Sequence, residues 1–418
     1  MSVYVCDAIM GSGKSSAAIT YMNEHPEKKF IYITPYLDEA SRISKACPGM
    51  EFFEPHRLSD FKGSKTLHTM DLVSRGLNVA TTHQAFKFYP QELLDMVREQ
   101  KYTLIIDENV DVLETISEDT GDVNMAIDAG YLVQREDGVF RIGEKQYEGA
   151  TLRDFFRMLK SRDLAQVRAD KTSYFLYWRL PPELITAFED VFILTYLFVG
   201  QSLYYFLALN NIAYENIGIE HPAEHEYRFS KTGTYIPTYV HHLGDMINVC
   251  EHDKLNDIGK DYYALSCSWF KKRGDQVEQL KKNVYNYMRN IMSVPSSERM
   301  WSTFTESEYK VRGAGYSKGY VTFNAKATNN FRHKTTLAYC VNLFMHVGHK
   351  LYYHDNGIAV DEDAYALSNM VQWIWRSAIR DGKPINIYIP SKRMRDLLTA
   401  WIETTAKGGT CNDEHTKV

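Results

Sequence analysis

The sequence predicts an α/β protein with two tandem domains built on parallel sheets. Short apolar runs alternate with helical patterns along most of its 418 residues, as βαβ units require. The run "VYVC" leads directly into a glycine-rich loop and then into the helical pattern "SAAITYM". A chain of this length is sufficient for two or three domains with substantial cores.

Composition restricts the classes of partner and compartment. The formal net charge of -5 gives no global basic surface, so any nucleic-acid contact must come from a local groove. Six cysteines are scattered without a C-x-x-C pair, which argues against a zinc knuckle and a disulfide framework. These features favour the reducing cytoplasm.

The stretch "DAIMGSGKSSAAITYM", residues 7–22, predicts a phosphate-binding loop. Its pattern is G-x-x-x-x-G-K-[ST] with Ala8 in the place of the first glycine. Lys14 would reach the β- and γ-phosphates, and Ser15 would bind Mg²⁺. Backbone N–H groups at the start of the helix would hold the phosphates. The predicted nucleotide-binding residues are Met10, Gly11, Ser12, Gly13, Lys14, Ser15 and Ser16.

A pair of carboxylates completes the predicted ATP site. The apolar run Leu104 to Ile106 ends at Asp107 and Glu108. Asp107 would join the Mg²⁺ shell, and Glu108 would act as the general base towards water. Because a small-molecule kinase does not need this glutamate, the pair predicts an ATPase.

Two further segments, "KKFIYITPYLDEASRI" and "LNVATTHQAF", read as strands that end in threonine and lead into helices. Their loops would emerge at the same carboxyl edge as the nucleotide site. The hydroxyls of Thr34, Thr81 and Thr82 suit the phosphates of a nucleic-acid backbone. Plain helix capping is the alternative for each loop alone.

Together, these four segments resemble the first motor domain of superfamily 2 helicases. Alanine in place of the first loop glycine is common in that superfamily, and "IIDEN" resembles its DEAD/DEAH box with Asn109 and Val110 replacing the last two letters. The resemblance implies two RecA-like domains. It also implies nucleic-acid contacts by "TPYLDEA" and "ATTHQAF", which add Pro35 and His83 to the threonines.

Later segments resemble the remaining helicase motifs. "FILTYLFVG" stands at the coupling motif, with Thr195 as its best match. "GYVTFNAKATNNFRHKTTLAYCVN" resembles the fifth motif and implies nucleic-acid contacts by Asn324 and Thr328. "MVQWIWRSAIR" resembles the sixth, which implies that Gln372, Arg376 and Arg380 face the γ-phosphate. These three residues are four apart and would share one helix face.

The carboxyl-terminal half is more specifically similar to phage-encoded superfamily 2 helicases, through "LSCSWF", "MWSTF", "ALSNMVQWIWRSAIRDG" and "IYIPSKRMRDLL". A fainter resemblance connects "MGSGKS" and the Asp-Glu pair to herpesvirus origin-binding helicases. The resemblance implies an ATP- and Mg²⁺-dependent DNA helicase or translocase in phage replication or recombination. Its partners would be single-stranded or forked DNA and replication proteins, in the host cytoplasm.

The predicted organisation follows from these motifs. The first RecA-like domain is predicted at 1–219 with a helical insertion at 117–182, then a linker at 220–255, a second RecA-like domain at 256–406 and a flexible tail at 407–418. The insertion combines basic and aromatic residues, so it could clamp a strand or simply form a self-packed hairpin. The apolar stretch from Val191 to Leu209 reads as strand, turn and helix and not as a membrane span.

Three alternatives to a helicase remain open from the sequence. The first is an ATPase switch or remodeller that responds to nucleic acid without unwinding it. The second is a P-loop enzyme such as a nucleoside kinase, and the third is a binding module that has lost catalysis. The Asp107–Glu108 pair and the second-domain motifs speak against the last two.

Overall fold

The structure is a computed structural model that describes residues 1–35, 37–116, 120–134, 139–159, 164–168, 174–325 and 330–408. Its first 107 residues alternate strands and helices as predicted. The strands are β1 (Ser2–Asp7), β2 (Phe30–Thr34), β3 (Phe52–Phe53), β4 (Asn78–Thr82) and β5 (Thr103–Asp107). The helices are α1 (Lys14–Glu24), α2 (Leu37–Ala46), α3 (Lys65–Ser74), α4 (His83–Phe86) and α5 (Gln91–Glu99).

The insertion is mainly an antiparallel sheet, so the prediction of a helical insertion is wrong. Its elements are β6 (Leu113–Ile116), α6 (Thr120–Asp128), β7 (Leu132–Gln134), β8 (Val139–Ile142), α7 (Arg153–Leu159), β9 (Leu164–Arg168) and β10 (Tyr174–Arg179). The strand order is β6-β10-β9-β8-β7. The aromatic run of β10 favours a strand, and Tyr177 and Trp178 are buried there. The basic residues of the predicted strand clamp are Arg153, Arg157, Lys160, Arg162, Arg168 and Lys171, of which Lys160, Arg162 and Lys171 lie outside the described residues.

The first domain is completed by α8 (Glu183–Thr186), β11 (Asp190–Thr195), α9 (Ser202–Leu209) and β12 (Glu215–Asn216). Its seven strands form a parallel sheet in the order β12-β1-β11-β5-β2-β4-β3. The stretch from Val191 to Leu209 is therefore a strand, a turn and a helix, as predicted. In the described part of the chain, no helix has both the length and the apolar character needed to span a membrane.

The first sheet is covered on both faces, which explains why its strands are almost continuously apolar. Within β2, Ile31 and Ile33 pack into one cluster with α3, α5 and α9. Phe30 and Tyr32 point to the opposite face and pack with α1 and α2. The carboxyl ends of the strands are left for loops, and this edge carries the predicted nucleotide site.

Residues after the first sheet form a hairpin, β13 (Gly218–Ala223) and β14 (Glu226–Ser230). The hairpin packs along α1 through residues such as Tyr227 and Phe229. The predicted linker at 220–255 is therefore partly wrong. Its first part belongs to this hairpin, and Ile247–Val249 is a strand of the second sheet, paired with Ile385–Ile387.

The second domain is a four-stranded parallel sheet in the order β15-β18-β17-β16. Its strands are β15 (Ile247–Val249), β16 (Arg299–Ser302), β17 (Thr336–Tyr339) and β18 (Ile385–Tyr388). Its helices are α10 (Leu243–Met246), α11 (Asp253–Asn256), α12 (Cys267–Lys272), α13 (Gly274–Tyr285), α14 (Glu308–Val311), α15 (Val347–Asp355), α16 (Glu362–Ile374) and α17 (Lys392–Ala406). The last helix ends at the predicted boundary of 406, and residues 409–418 of the predicted tail lie outside the described residues.

The predicted fold class is thus confirmed: an α/β protein with two parallel sheets. The two domains share apolar packing, because Ile9 and Leu197 of the first domain lie in the core cluster of the second. The two domains are therefore joined by apolar side chains that follow the carboxyl ends of β1 and β11.

Candidate active site

The phosphate loop between β1 and α1 depends on two glycines. Gly11 and Gly13 have φ angles of 80° and 90°, in the left-handed region that favours glycine. A Cβ atom added at Gly13 would come within 2.1 Å of the Tyr227 ring. The loop geometry therefore excludes larger residues at this position.

Lys14 opens α1 and lies beneath the loop. Its Nζ donates hydrogen bonds to the carbonyl oxygens of Ala8 and, at 3.1 Å, of Ile9. Burial lowers the pKa of Lys14, although Cys6 and Asp107 nearby oppose this shift. A phosphate would offer this buried ammonium group a stronger, charged acceptor.

Asp107 lies at the end of β5, facing the start of α1. One carboxylate oxygen, Oδ2, accepts hydrogen bonds from the Ser15 hydroxyl at 3.0 Å and the Tyr32 hydroxyl at 2.6 Å. Burial raises the pKa of Asp107, and these two hydrogen bonds oppose the rise. The neighbouring His83 places Nε2 at 2.8 Å from the Asp107 carbonyl oxygen.

The residues predicted for Mg²⁺ fit that ion. The Ser15 hydroxyl and the Asp107 carboxylate supply oxygen ligands from adjacent elements, as Mg²⁺ prefers. Within the described ranges, no group of three or more His, Cys, Asp or Glu side chains could hold a metal by itself. A site of this kind takes its remaining ligands from water and nucleotide phosphates.

Glu108 directly follows β5 with a φ angle of 66°, which is uncommon for a residue with a side chain. Its backbone N–H donates to the carbonyl oxygen of Leu194 at 3.0 Å. Glu108 lines the same cavity as Lys14 and Asp107.

The cavity has a volume of about 540 Å³ and is lined from both domains. The first domain contributes Met10, Gly11, Gly13, Lys14, Ser15, Ser16, Asp107 and Glu108. The second contributes Gln372, Arg376 and Arg380. Two sets of residues that are separated by at least 264 positions in the chain, from Glu108 to Gln372, thus face one space. Ser12, also predicted, is buried within the loop.

The three second-domain residues do not share one helix as predicted. Helix α16 ends at Ile374, and Ser377 is extended, with its hydroxyl donating to the Ile374 carbonyl oxygen at 2.6 Å. Arg376 follows the helix and is buried, whereas Arg380 is exposed on a separate 3₁₀ turn, Ala378–Asp381. Both arginines nevertheless line the cavity.

Sequence reasoning missed several residues that line the cavity, namely Arg42, Tyr196, Tyr227, Tyr239 and Arg332. Arg332 lies within the segment that resembles the fifth motif, at "NNFRH", and its Nε donates to Asp381 Oδ1 at 2.6 Å. That neighbourhood was a usable signal for Arg332. Tyr227 and Tyr239, in the segment after β12, carried no such signal, because Tyr227 is placed by packing against α1 and Tyr239 by packing with Trp375 of the second domain.

The residues predicted to contact nucleic acid are only partly accessible. Thr34, Thr81 and His83 are buried, while Thr82 is partly exposed and caps α4 by accepting a hydrogen bond from the Ala85 N–H. Thr34 and Thr82 are register partners at the carboxyl ends of β2 and β4.

The other predicted contacts differ in position. Pro35 is partly exposed and Asn324 is exposed, whereas Thr328 lies outside the described residues. Thr195, the predicted coupling residue, is buried and donates from its hydroxyl to Oε1 of Gln201 at 2.6 Å. The roles of all these residues stay predictions.

Comparison with known proteins places the chain in a family. It is 36% identical to the SPbeta prophage-derived uncharacterized protein YonV of Bacillus subtilis (strain 168), over 96% of this chain and 98% of that protein. The chain belongs to the YonV family. Residues 241–402 match the family described as the YonV C-terminal Rossmann-like domain, which agrees with the second parallel sheet.

Solved structures resemble the chain more distantly. An XPD helicase aligns with a TM-score of 0.48 and 10% identity, covering 98% of this chain and 95% of that one. Xpd4 of S. tokodaii aligns with a TM-score of 0.46 and 12% identity over the same shares. The DUF1998 helicase MrfA bound to DNA aligns with a TM-score of 0.34 and 8% identity, covering 96% of this chain and 46% of that one. At these scores, the likenesses carry no argument about the site.

Proposed function

We propose that this protein is an ATP-driven DNA helicase or translocase of superfamily 2. One observation carries the proposal: a single cavity between two parallel-sheet domains is lined by Lys14, Asp107 and Glu108 on one side and by Gln372 and Arg376 on the other. This arrangement suits a nucleotide whose hydrolysis requires both domains.

The first domain would hold Mg·ATP. Lys14 would pair with the β- and γ-phosphates, and the loop N–H groups from Met10 to Ser16 would surround them. Ser15 and Asp107 would hold Mg²⁺, which neutralises developing charge on the phosphates when bound. Glu108 would orient the attacking water and accept its proton.

The second domain would complete the site. Arg376 and Arg380 would stabilise the negative charge that develops on the transferred phosphoryl group, and Gln372 would help to orient it. Because these groups belong to another domain, hydrolysis would depend on how the two domains are arranged. Alternation between closed and open arrangements could then move a bound strand.

The proposed track is single-stranded or forked DNA. Thr34, Pro35, Thr81 and Thr82 lie at the carboxyl edge of the first sheet, where loops of parallel sheets bind ligands. The prophage origin of the YonV relative supports a role in phage DNA replication or recombination within the host cytoplasm, with replication proteins as partners. The resemblance to herpesvirus origin-binding helicases stays a prediction.

Steady-state ATP hydrolysis tests the proposal, measured alone and with single-stranded DNA, duplex DNA or RNA at two salt concentrations. We expect stimulation by single-stranded DNA that weakens with salt, because phosphate contacts release counterions. Glu108→Gln serves as the inactive control.

Hydrolysis that ignores all three polymers would overturn the motor. Stimulation without separation of a forked duplex would favour the ATPase switch instead. Stimulation by RNA alone would replace DNA as the track.

A further inference from the structure

A hydrogen bond joins the two domains across the cleft beside the candidate active site. Nε1 of Trp401, on α17 of the second domain, donates to the hydroxyl of Tyr196 in the first domain at 3.0 Å. Trp401 is 2% exposed, so the donor of this hydrogen bond is buried, whereas Tyr196 is partly exposed. Tyr196 follows directly after Thr195 at the end of β11 and lines the cavity.

Aromatic contacts extend from this hydrogen bond to the phosphate loop. The Trp401 ring lies edge-on to Trp375, with centroids 5.7 Å apart, and Trp375 lies 6.3 Å from the Tyr239 ring. The Tyr239 hydroxyl donates to the carbonyl oxygen of Met10, and its ring lies 3.6 Å from the place of a Cβ atom at Gly11. The series therefore begins and ends in the first domain and passes through the second.

The first-domain end of this series is fixed by its neighbours. The Tyr196 carbonyl oxygen accepts a hydrogen bond from Nε2 of Gln201 at 2.8 Å, and Oε1 of Gln201 accepts one from Thr195. Gly200, in the same loop, lies so close to α16 that an added Cβ would come within 2.2 Å of the Ala364 carbonyl oxygen. The loop is thus held against the helix that leads to Trp375 and Arg376.

We propose that Tyr196, Tyr239, Trp375 and Trp401 form an aromatic bridge that positions Arg376 against the phosphate loop. Trp375 directly precedes Arg376 in the chain and both residues line the cavity, so the packing that fixes Trp375 also fixes the backbone at Arg376. The bridge residues are positioning residues, since they would act on hydrolysis through Arg376 and the loop. The kinetic part of this inference rests on the proposed function, whereas the contact across the cleft does not.

The test compares Trp401→Phe, Tyr196→Phe and the double variant by hydrogen exchange and by ATP hydrolysis. Trp401→Phe removes the N–H donor and Tyr196→Phe removes the acceptor, and both keep an aromatic ring. Trp373→Phe is the matched control, because Nε1 of Trp373 donates to Val321 within the second domain at 3.2 Å. Thermal melts verify that each variant folds.

We expect each single change to loosen the segment opposite it. Trp401→Phe should raise amide exchange in residues 195–201, and Tyr196→Phe should raise it in residues 397–405, each about fivefold. In the double variant, amide exchange in each of these segments should be no faster than in the single variants, because the same hydrogen bond is lost in all three proteins. Trp373→Phe should leave residues 195–201 unchanged.

Hydrolysis provides the second readout. Both single variants should lower kcat about fivefold while KM for ATP stays within about twofold, since the bridge positions a group that acts in the transition state. Exchange changes confined to the domain that carries the substitution, or additive effects in the double variant, would overturn the bridge.

The two proposals fail separately. A wild-type protein that hydrolyses no ATP would refute the proposed function, and the exchange comparison would still decide whether the bridge exists. If amide exchange rises across the cleft as expected but kcat is unchanged in both single variants, the bridge exists and only its positioning role is refuted.

Discussion

The two halves of the cleft are built differently. In the first domain, Ser15, Tyr32 and Asp107 are joined by hydrogen bonds at the edge of one sheet. In the second, Arg376 follows the end of a helix and Arg380 lies on a separate turn. The first half is thus assembled from segments up to 92 positions apart that meet at one sheet edge, and the second from the single stretch 372–380. Under the proposed function, nucleotide binding belongs to the first half and turnover to both.

Of the changes in the first half of the cleft, removal of the Lys14 ammonium group should reduce ATP binding and hydrolysis the most. Lys14→Ala takes away the buried ammonium group that would meet the phosphates, so both ATP affinity and hydrolysis should fall, with kcat/KM reduced at least about a thousandfold. Calorimetric titration with ATP and a steady-state assay measure the two effects. The exposed Lys45→Ala is the matched control, and near-normal ATP binding by Lys14→Ala would contradict the loop assignment.

A change at Glu108 separates hydrolysis from ATP binding within the first half of the cleft. Glu108→Gln keeps the shape of the side chain but removes the base, so kcat should fall about a hundredfold while ATP still binds. Single-turnover hydrolysis checks the loss, with Glu99→Gln on α5 as the exposed control. A variant with a normal rate would remove Glu108 from the base role.

Arg380 tests whether an exposed residue of the cavity contributes less to kcat than a buried one. Because its turn is exposed and separate from α16, Arg380→Ala should lower kcat about tenfold, less than the change expected at buried Arg376. The ATPase rate without polymer is the measurement, and Arg273→Ala, also exposed in the second domain, is the control. If Arg380→Ala lowers kcat more than Arg376→Ala does, Arg380 and not Arg376 is the main arginine acting on the phosphate.

A second contact between the domains, away from the cleft, should respond to pH. His349 of α15 lies with Nε2 at 3.4 Å from the Thr115 hydroxyl and its ring 5.0 Å from Tyr177 of the insertion. Burial lowers the pKa of His349 to about 4, with a contribution from His346 and opposition from Asp111. The unfolded chain therefore binds this proton more readily, and stability is lost as pH falls below the unfolded value of about 6.5.

The free energy of unfolding should fall by about 2 kcal/mol between pH 7 and pH 5 because of this histidine. Urea unfolding at the two pH values measures it. His349→Gln should reduce this pH dependence, whereas His354→Gln at an exposed position of the same helix should not. Equal pH dependence in all three proteins would show that His349 does not titrate in this way.

Prediction from sequence succeeded for the structural elements whose folding signals lie in contiguous residues. The strand and loop before Lys14 and the strand before Asp107 each contain their own folding signals, and they lie where expected. The insertion was predicted incorrectly because its strands pair over long separations, as between Tyr174–Arg179 and Leu113–Ile116. The apolar spacing after Arg153 fits a helix only as far as Leu159.

The second half of the cleft shows a different limit. The spacing of Gln372, Arg376 and Arg380 identified residues that line the cavity but suggested a continuous helix that Ser377 interrupts. Tyr196 and Tyr239 were not predicted as bridge residues, because nothing in their local sequence specifies contact with a tryptophan more than 100 positions away. Such contacts depend on the arrangement of the two domains.

The most direct test of the central claim is to measure ATP binding and ATP hydrolysis by Arg376→Ala side by side with the wild-type protein. If the second domain completes a site that the first domain binds, affinity for Mg·ATP should stay within about threefold while kcat falls about a hundredfold or more. Hydrolysis at the wild-type rate would contradict the claim that this cleft is an ATPase site shared between two domains.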